Sequence, residues 1–562
     1  TTEIYTLSLH DALPICRIMN SFGITMAFAI GVSLIVSFTV TPMLASRWLN
    51  PPGHRKETTV LERITDRFYR PVERFCIAIL GWVMKHRWVV VVACVLTMAS
   101  IVPLIGAVDK GMMPVTDEAN FAINIRTPEG TSLESTVDTA MRVARETRRY
   151  PGVMYTLTTV GDNTAKTPNL ANIYVKLTDP GERDFTQQEL MSRVRDEVLL
   201  KQSEDLRVDV SNVSSMSGNN SKTVQYYLAG PDIDVLGRAS SNIVEKMKKV
   251  KGAVDVDTSL IMGKPEVEIE ILRDRAADLG VNVSDIATAV QLLVSGMDVS
   301  TYEEGGESYD VRIRAVKDDR TQLDRISMMT VPSSKLGSVN LREVVRFRDS
   351  EGPSEISRYN RRRQVSISSN VLPGVGENVV SAAMARAVQE EKLPAGYTNG
   401  PQGRTKNSGD VVTSFVTAFV LALIFMYLIL AMQFDSWIHP VTILSILPLT
   451  VPFALLSLLI FQQSLNIQSA LGLLVLFGVV KKNSILQVDH TNTLRKEGMS
   501  RADAIIAANR DRLRPILMTT IAFVAGMLPL VFATGVGAGN SRATAGVIVG
   551  GQVLSLGLTL LA

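Results

Sequence analysis

Two adjacent lysines, Lys481 and Lys482, followed by Asn483, interrupt a run over 467–488 that is otherwise uncharged, apolar and long enough to cross a lipid bilayer. Each lysine near the centre of such a helix costs about 2.5–3.5 kcal/mol, so water, a carboxylate or the membrane interface must receive the charge. Beside a carboxylate, an ammonium at that depth responds to the acid's protonation, because neutralising the acid removes most of the attraction. The competing reading is structural. A helix entering the membrane at Ile467 carries Lys482 about 22 Å along at ~1.5 Å per residue, close to the far edge, where its stem can snorkel to water. Only one of the pair can share a given polar niche, since neighbouring helix positions point about 100° apart.

Other chemistries find no support in the residues. No Gly-rich run ends in Lys-Ser or Lys-Thr, so nothing points to ATP as an energy source. The five histidines, His10, His54, His86, His439 and His490, are scattered, and no Cys or His cluster has ligand spacing. No catalytic constellation is found, so an enzyme is not expected.

The elements that position the lysines are membrane helices. With 562 residues, 46% hydrophobic and 20% charged, the chain is too apolar for a large soluble protein and too charged to lie wholly in a membrane. A net charge of +3 gives no reason to expect nucleic acid as a partner. Six runs are long enough to span, at 22–45, 88–108, 411–432, 438–461, 467–488 and 516–533, and a seventh begins near Ala543. Basic residues crowd two loops: Arg47, Arg55, Lys56, Arg63, Arg67, Arg70, Arg74, Lys85 and Arg87 in the first, and Arg495, Lys496, Arg501, Arg510, Arg512 and Arg514 in the second. Both read as cytoplasmic, and the four spans between them keep that assignment self-consistent. The polar stretch 109–410 then faces outward; Cys16, Cys76 and Cys94 all lie outside it.

Within that stretch, strand patterns at 120–127, 153–160, 173–177 and 207–210 alternate with helical patterns at 132–149 and 186–200, which predicts a βαββαβ split unit. A second unit starts with strands at 223–229, 254–258 and 265–272 around a helix at 235–250. It is completed by a strand at 364–371 and a helix at 378–391, leaving an insertion over 281–349 with a helix at 283–293 and a hairpin at 301–316. Residues 1–15 lack a signal-peptide layout and resemble a translated sequencing adapter, and the last apolar run stops without flanking charge; a fragment is expected.

Two stretches carry a resemblance: Phe477-Gly478-Val479-Val480-Lys481-Lys482-Asn483-Ser484-Ile485-Leu486, and Arg512-Leu513-Arg514-Pro515-Ile516-Leu517-Met518-Thr519-Thr520. They resemble the lysine helix and the next span of resistance-nodulation-division (RND) efflux pumps of the AcrB-like hydrophobe/amphiphile branch, over nearly everything from Ser21 onward. The resemblance implies a membrane α-helical bundle plus an α+β extramembrane domain, with ferredoxin-like βαβ porter subdomains and an inserted docking subdomain. It divides the chain into a non-native leader (1–16), a span (17–48), a cytoplasmic connector (49–87), a span (88–108), a porter subdomain (109–215), the first part of a second (216–275), the docking subdomain (276–352), the remainder of the second porter (353–405) and five spans, the last truncated (406–562).

In such pumps an aspartate pair on a span absent from this chain binds protons. By motif position Lys482 resembles the lysine facing those carboxylates, Thr519 the hydroxyl joining the network and Arg512 the arginine at its cytoplasmic mouth. Thr519 has an ordinary alternative in bonding its own helix, and Arg512 in being a topogenic charge. Lys481 stands where a small residue is usual and is expected to snorkel. For the substrate path, Tyr174 occupies an aromatic pocket position just beyond the polar loop 161–169, which includes Gly161 and Asn163 and has no phenylalanine; strand packing is the alternative for Tyr174. Asn124 stands where heavy-metal members carry a methionine, and Met216 is the only methionine between Met191 and Met247, which disfavours soft-metal transport. The implied function is proton-driven export of amphiphilic compounds across the inner membrane, with no cofactor, by a homotrimer joined to a periplasmic adaptor and an outer-membrane channel. A heavy-metal or a lipid- or secretion-related member of the same superfamily, and a non-transporting membrane-anchored sensor ectodomain, are the alternatives.

Overall fold

The structure is a computed structural model that describes residues 14–48, 60–163, 166–203, 205–213, 222–261 and 263–561. Most of the expected leader, Arg55, Lys56, Met216 and two residues of the loop at 161–169 lie outside the described residues.

Seven helices among the described residues are long and apolar enough to cross a membrane: Asn20–Trp48, Arg87–Ala107, Gly403–Phe434, Ile438–Ile460, Ile467–Lys496, Arg501–Val531 and Ala538–Leu560. The second expected basic loop is mostly helical. The lysine helix runs on to Lys496, Gly498 turns the chain at φ +98°, and Ser500 caps the next helix by accepting the Asp503 N–H. Turn chemistry rather than hydropathy sets those ends. Apolar runs mark only the part of a helix that meets lipid. The first basic segment also contains a helix, Val60–Lys85, strongly amphipathic and continuous through Pro71. It lies against the Arg501–Val531 helix, with Arg510 3.5 Å from Glu73 and the Arg514 guanidinium over the Tyr69 ring. The two basic segments therefore share one end of the bundle.

The α+β part stands at the other end. Asp109 and Gly111 pair with Leu465 through backbone hydrogen bonds, and Gly537 donates to the Asp117 carbonyl. The first unit is a four-stranded antiparallel sheet in which Leu170–Leu177 and Arg207–Ser211 flank Asn120–Arg126, and Val153–Val160 pairs outside Leu170–Leu177. Strict alternation along Leu170–Leu177 turns Ala171, Ile173, Val175 and Leu177 onto the helices Leu133–Thr147 and Gln187–Arg193. Thr186 and Glu189 close a capping box at the start of the second of these helices.

The second unit repeats this order: Arg362–Val371 and Thr398–Pro401 flank Val224–Gly230, and Ala253–Thr258 pairs with Arg362–Val371. Its core joins Leu228 and Ile367 to Leu236, Ile243 and Met384 from the helices Ile233–Lys248 and Glu377–Glu390. The expected interruption is present. One strand departs from the sequence reading: Lys264–Ile271 does not join this sheet but pairs with Val345–Gly352 to form the stem of the inserted part. Periodicity identifies a strand but not its partner, and here the partner is some 80 residues away. Within the insertion, helix Val283–Val290 and the hairpin Met297–Glu304/Glu307–Ile313 follow as expected, turning at Gly305 and Gly306.

Candidate functional site

The lysine helix begins at a capping box in which Asn466 accepts from Gln468 and Ser469 and the Ser469 hydroxyl accepts the Asn466 N–H. Its register then decides which lysine faces where. Lys482 is exposed and Lys481 half-buried. The seam with the neighbouring helices is set by Leu476, Phe477, Val480, Asn483 and Ser484, and Lys481 sits at its margin. No hydrogen bond or ion pair joins Lys482 to another described residue. Thr519 is exposed and donates to the Ile516 carbonyl of its own helix at 3.1 Å. The Arg512 Nε is buried without a partner. All three lie on two neighbouring antiparallel helices, clasped nearer the basic end by a 2.6 Å Gln487–Asn509 bond, but no contact connects them.

Beside them runs a polar seam that the sequence reading missed. Asn483, Ser484, Thr520, Gln552, Ser555 and Thr559 are all buried between the last three helices. Gln552 donates to Thr520 at 3.4 Å, while Asn483 Nδ2, Ser484 Oγ, Gln552 Oε1 and Ser555 Oγ have no partner. Unpaired polar atoms in such surroundings cost free energy, so this seam is strained or wet. The spacing of Gln552, Ser555 and Thr559, three and four residues apart on one helix face, was the available signal.

Outside the membrane, Tyr174 lies on the open face of the first sheet, its ring 6.4 Å from that of Tyr155. Gly161 and Asn163 are elsewhere, at the hairpin tip: Gly161 supplies φ +71°, and Asn163 bonds Thr167 through both side-chain atoms, at 2.6 and 2.7 Å. The structure does not bring these three together. What adjoins Tyr174 is a polar chain leading into the seam between the two units. Asn172 donates to Asn124 at 2.7 Å, Asn124 to Asp209 at 2.9 Å, and Asn370 of the second unit to Asp209 at 2.5 Å and Asp255 at 3.0 Å. Arg195 completes it with a two-armed bond to Asp255, 3.0 and 2.8 Å, and Lys222 donates to the Asp255 carbonyl. Two acids and two cations are thus sequestered where the units meet.

Burial pushes the Asp209 carboxyl above its usual range, opposed by Lys222 and reinforced by Asp255. A carboxyl raised in this way favours the fold fully below its unfolded pKa, and that contribution is lost as pH rises through the folded value. Wild type should therefore exceed Asp209→Asn in thermal stability most at acid pH, with the gap narrowing toward neutrality. A gap that widens toward neutrality would reverse the assignment.

A groove of about 730 Å³ lies where the Gly403–Phe434 helix leaves the membrane end for the second unit, with Val412, Phe415 and Phe419 on its apolar side and Lys110, Glu377 and Arg404 at its polar end. A smaller cavity, about 250 Å³, sits between the two units and shares Thr223, Glu377 and Arg404 with the groove. Concave, mostly apolar sites with a few convergent polar groups are the usual form of small-molecule sites.

Seven candidate spans, two split units at one end of them and a lysine exposed within one candidate span together define the fold of an RND transporter. The chain belongs to the AcrB/AcrD/AcrF family, whose sequence model matches residues 13–562. Among solved structures, it is similar to a heavy metal efflux pump seen in two crystal forms. One gives a TM-score of 0.77 at 23% identity, covering 88% of this chain and 51% of that one. The other gives 0.73 at 24%, covering 84% and 49%. The chain therefore spans about half the length of the pumps it matches, and at these identities the likeness is one of fold.

Proposed function

We propose that this chain is part of a proton-driven efflux transporter that exports amphiphilic compounds, with Lys482 as its coupling charge. The observation that carries this reading is Lys482 itself, exposed within a candidate membrane span and without a partner among the described residues. A charge so placed needs an acid, which the rest of the transporter supplies, and its pairing changes each time that acid takes a proton. The groove supports the substrate class: an apolar chain fits along Phe415 and Phe419 while a polar head stays at Arg404 and Lys110. In this reading the sheet units at 109–215 and at 216–275 with 353–405 form the porter, and 276–352 docks other exported components. The assembly is a trimer in the inner membrane with the α+β part in the periplasm, joined to an adaptor and an outer-membrane channel.

Thr519 and Arg512 have secondary roles. Thr519 already bonds its own backbone, so Thr519→Ala should lower export only a few-fold, against near-complete loss for Lys482→Met. Dye and detergent efflux from a host lacking other pumps measures both, and the reverse order would exclude the relay.

Heavy-metal export is the second reading. It draws on the name of the two similar structures and on Met113 and Met191, which line the same inter-unit cavity and offer soft thioether ligands. Protection against silver or monovalent copper, abolished by Met191→Leu while detergent protection persists, would favour it.

A further inference from the structure

Arg404 is the second residue of the Gly403–Phe434 helix, and Glu377 the first of Glu377–Glu390 in the second sheet unit. Their side chains meet between the membrane-level groove and the inter-unit cavity, lining both. Arg404 Nη2 donates to Glu377 Oε1 at 2.6 Å, while Glu377 Oε2 accepts the Met112 N–H at 3.0 Å. The ion pair is part-exposed, 31% and 24%, and so is weakly held. Arg404 Nε, by contrast, is buried without a partner. A guanidinium offers a planar fork of donors that suits a two-oxygen acid, and one of these donors is here unused.

The surroundings favour an anion. The charged residues lining the groove are Lys110, Arg404 and Glu377, two cations to one carboxylate. Arg404 also stands in the first turn of a long helix, whose N-terminal partial charge is positive. Below it the groove is apolar along Val412, Phe415 and Phe419. The start of the helix is tied to the sheet unit: Gln402 donates to the Gln225 carbonyl at 3.0 Å, and the Thr405 hydroxyl accepts the Gln225 N–H at 2.8 Å.

We infer that the Glu377–Arg404 pair is a gate between groove and cavity, opened by the carboxylate or sulfonate head of an amphiphile that replaces Glu377 on Arg404. The incoming acid takes both free and released guanidinium donors, Glu377 keeps its bond to Met112, and the apolar tail remains along the helix. This deepens the export reading and rests on it for the direction of passage; the recognition of the head does not.

The test uses the purified protein in a neutral detergent, with dansylamino-undecanoic acid and its uncharged methyl ester as fluorescent probes. Wild type should bind the acid about tenfold tighter than the ester, as a charge-assisted fork requires. Arg404→Gln should bring the two to parity by weakening the acid alone, and Arg404→Lys should restore part of the preference. Glu377→Gln should tighten acid binding several-fold, because the competing carboxylate is gone; a merely structural pair would show the opposite. Equal binding of acid and ester by wild type, or weaker acid binding by Glu377→Gln, overturns the gate. Competition with short-chain phosphatidylglycerol separates the sources: displacement of the probe assigns the site to a lipid head, its persistence to a free amphiphile, and either leaves an anion on Arg404. Should Lys482→Met export normally, the coupling reading falls while the acid preference stands on its own measurement.

Discussion

Lys482→Met should reduce amphiphile export to the level of a host without the pump, a loss of about a hundredfold or more, at unchanged protein level. Methionine matches the length and apolar stem of lysine and removes only the charge, so packing is preserved. Moving a two-state equilibrium a hundredfold takes roughly 2.7 kcal/mol of differential interaction, within reach of one charge pair made and broken in low dielectric. Lys481→Met separates coupling from general electrostatics. Lys481 is half-buried at the edge of the helix seam, and its replacement should leave most of the export in place. Normal dye efflux by Lys482→Met would remove the coupling role, and equal losses at the two lysines would show that position does not matter.

The other large effect is on folding. Gly550→Val should abolish a monodisperse, folded preparation, because a Cβ at Gly550 would stand 2.1 Å from the Ser457 Cβ on the Ile438–Ile460 helix. Gly472 and Gly551 are similarly placed, 2.8 Å from the Thr544 carbonyl oxygen and 2.3 Å from Leu476 Cδ2. Small residues let helix backbones approach where lipid supplies no hydrophobic drive, so association rests on close packing. The ~1–3 kcal/mol usual for overpacking is a lower bound when the opposing atoms are backbone-proximal and cannot swing away. Gly557→Val is the internal control, since nothing lies within 4 Å of a Cβ there. Size-exclusion profile and thermal aggregation measure both; a normal profile for Gly550→Val would mean that the last helix is not held at this seam.

Much of the fold was legible because its signals are local. The spans announce themselves by length and hydropathy, and the two split units by alternation along strands such as Leu170–Leu177 in the first and Arg362–Val371 in the second, with amphipathic helices beside them. The interruption of the second unit was legible too, as a half-unit awaiting completion. The partner of Lys264–Ile271 was not, since a two-residue period is the same whichever strand lies alongside.

The chain's own order of residues determined that Lys482 lies in a candidate membrane span, that the basic segments fall at one end of the helices, and that two sheet units with an insertion stand at the other; each follows from composition over one contiguous window. Only the tertiary structure decided that Lys482 rather than Lys481 is exposed, that Asp209 meets Asn370 across the seam, and that Glu377 meets Arg404 between groove and cavity. These depend on helix rotation and on contacts between residues distant in sequence, and such contacts are selected by packing the whole chain at once, which no local pattern encodes.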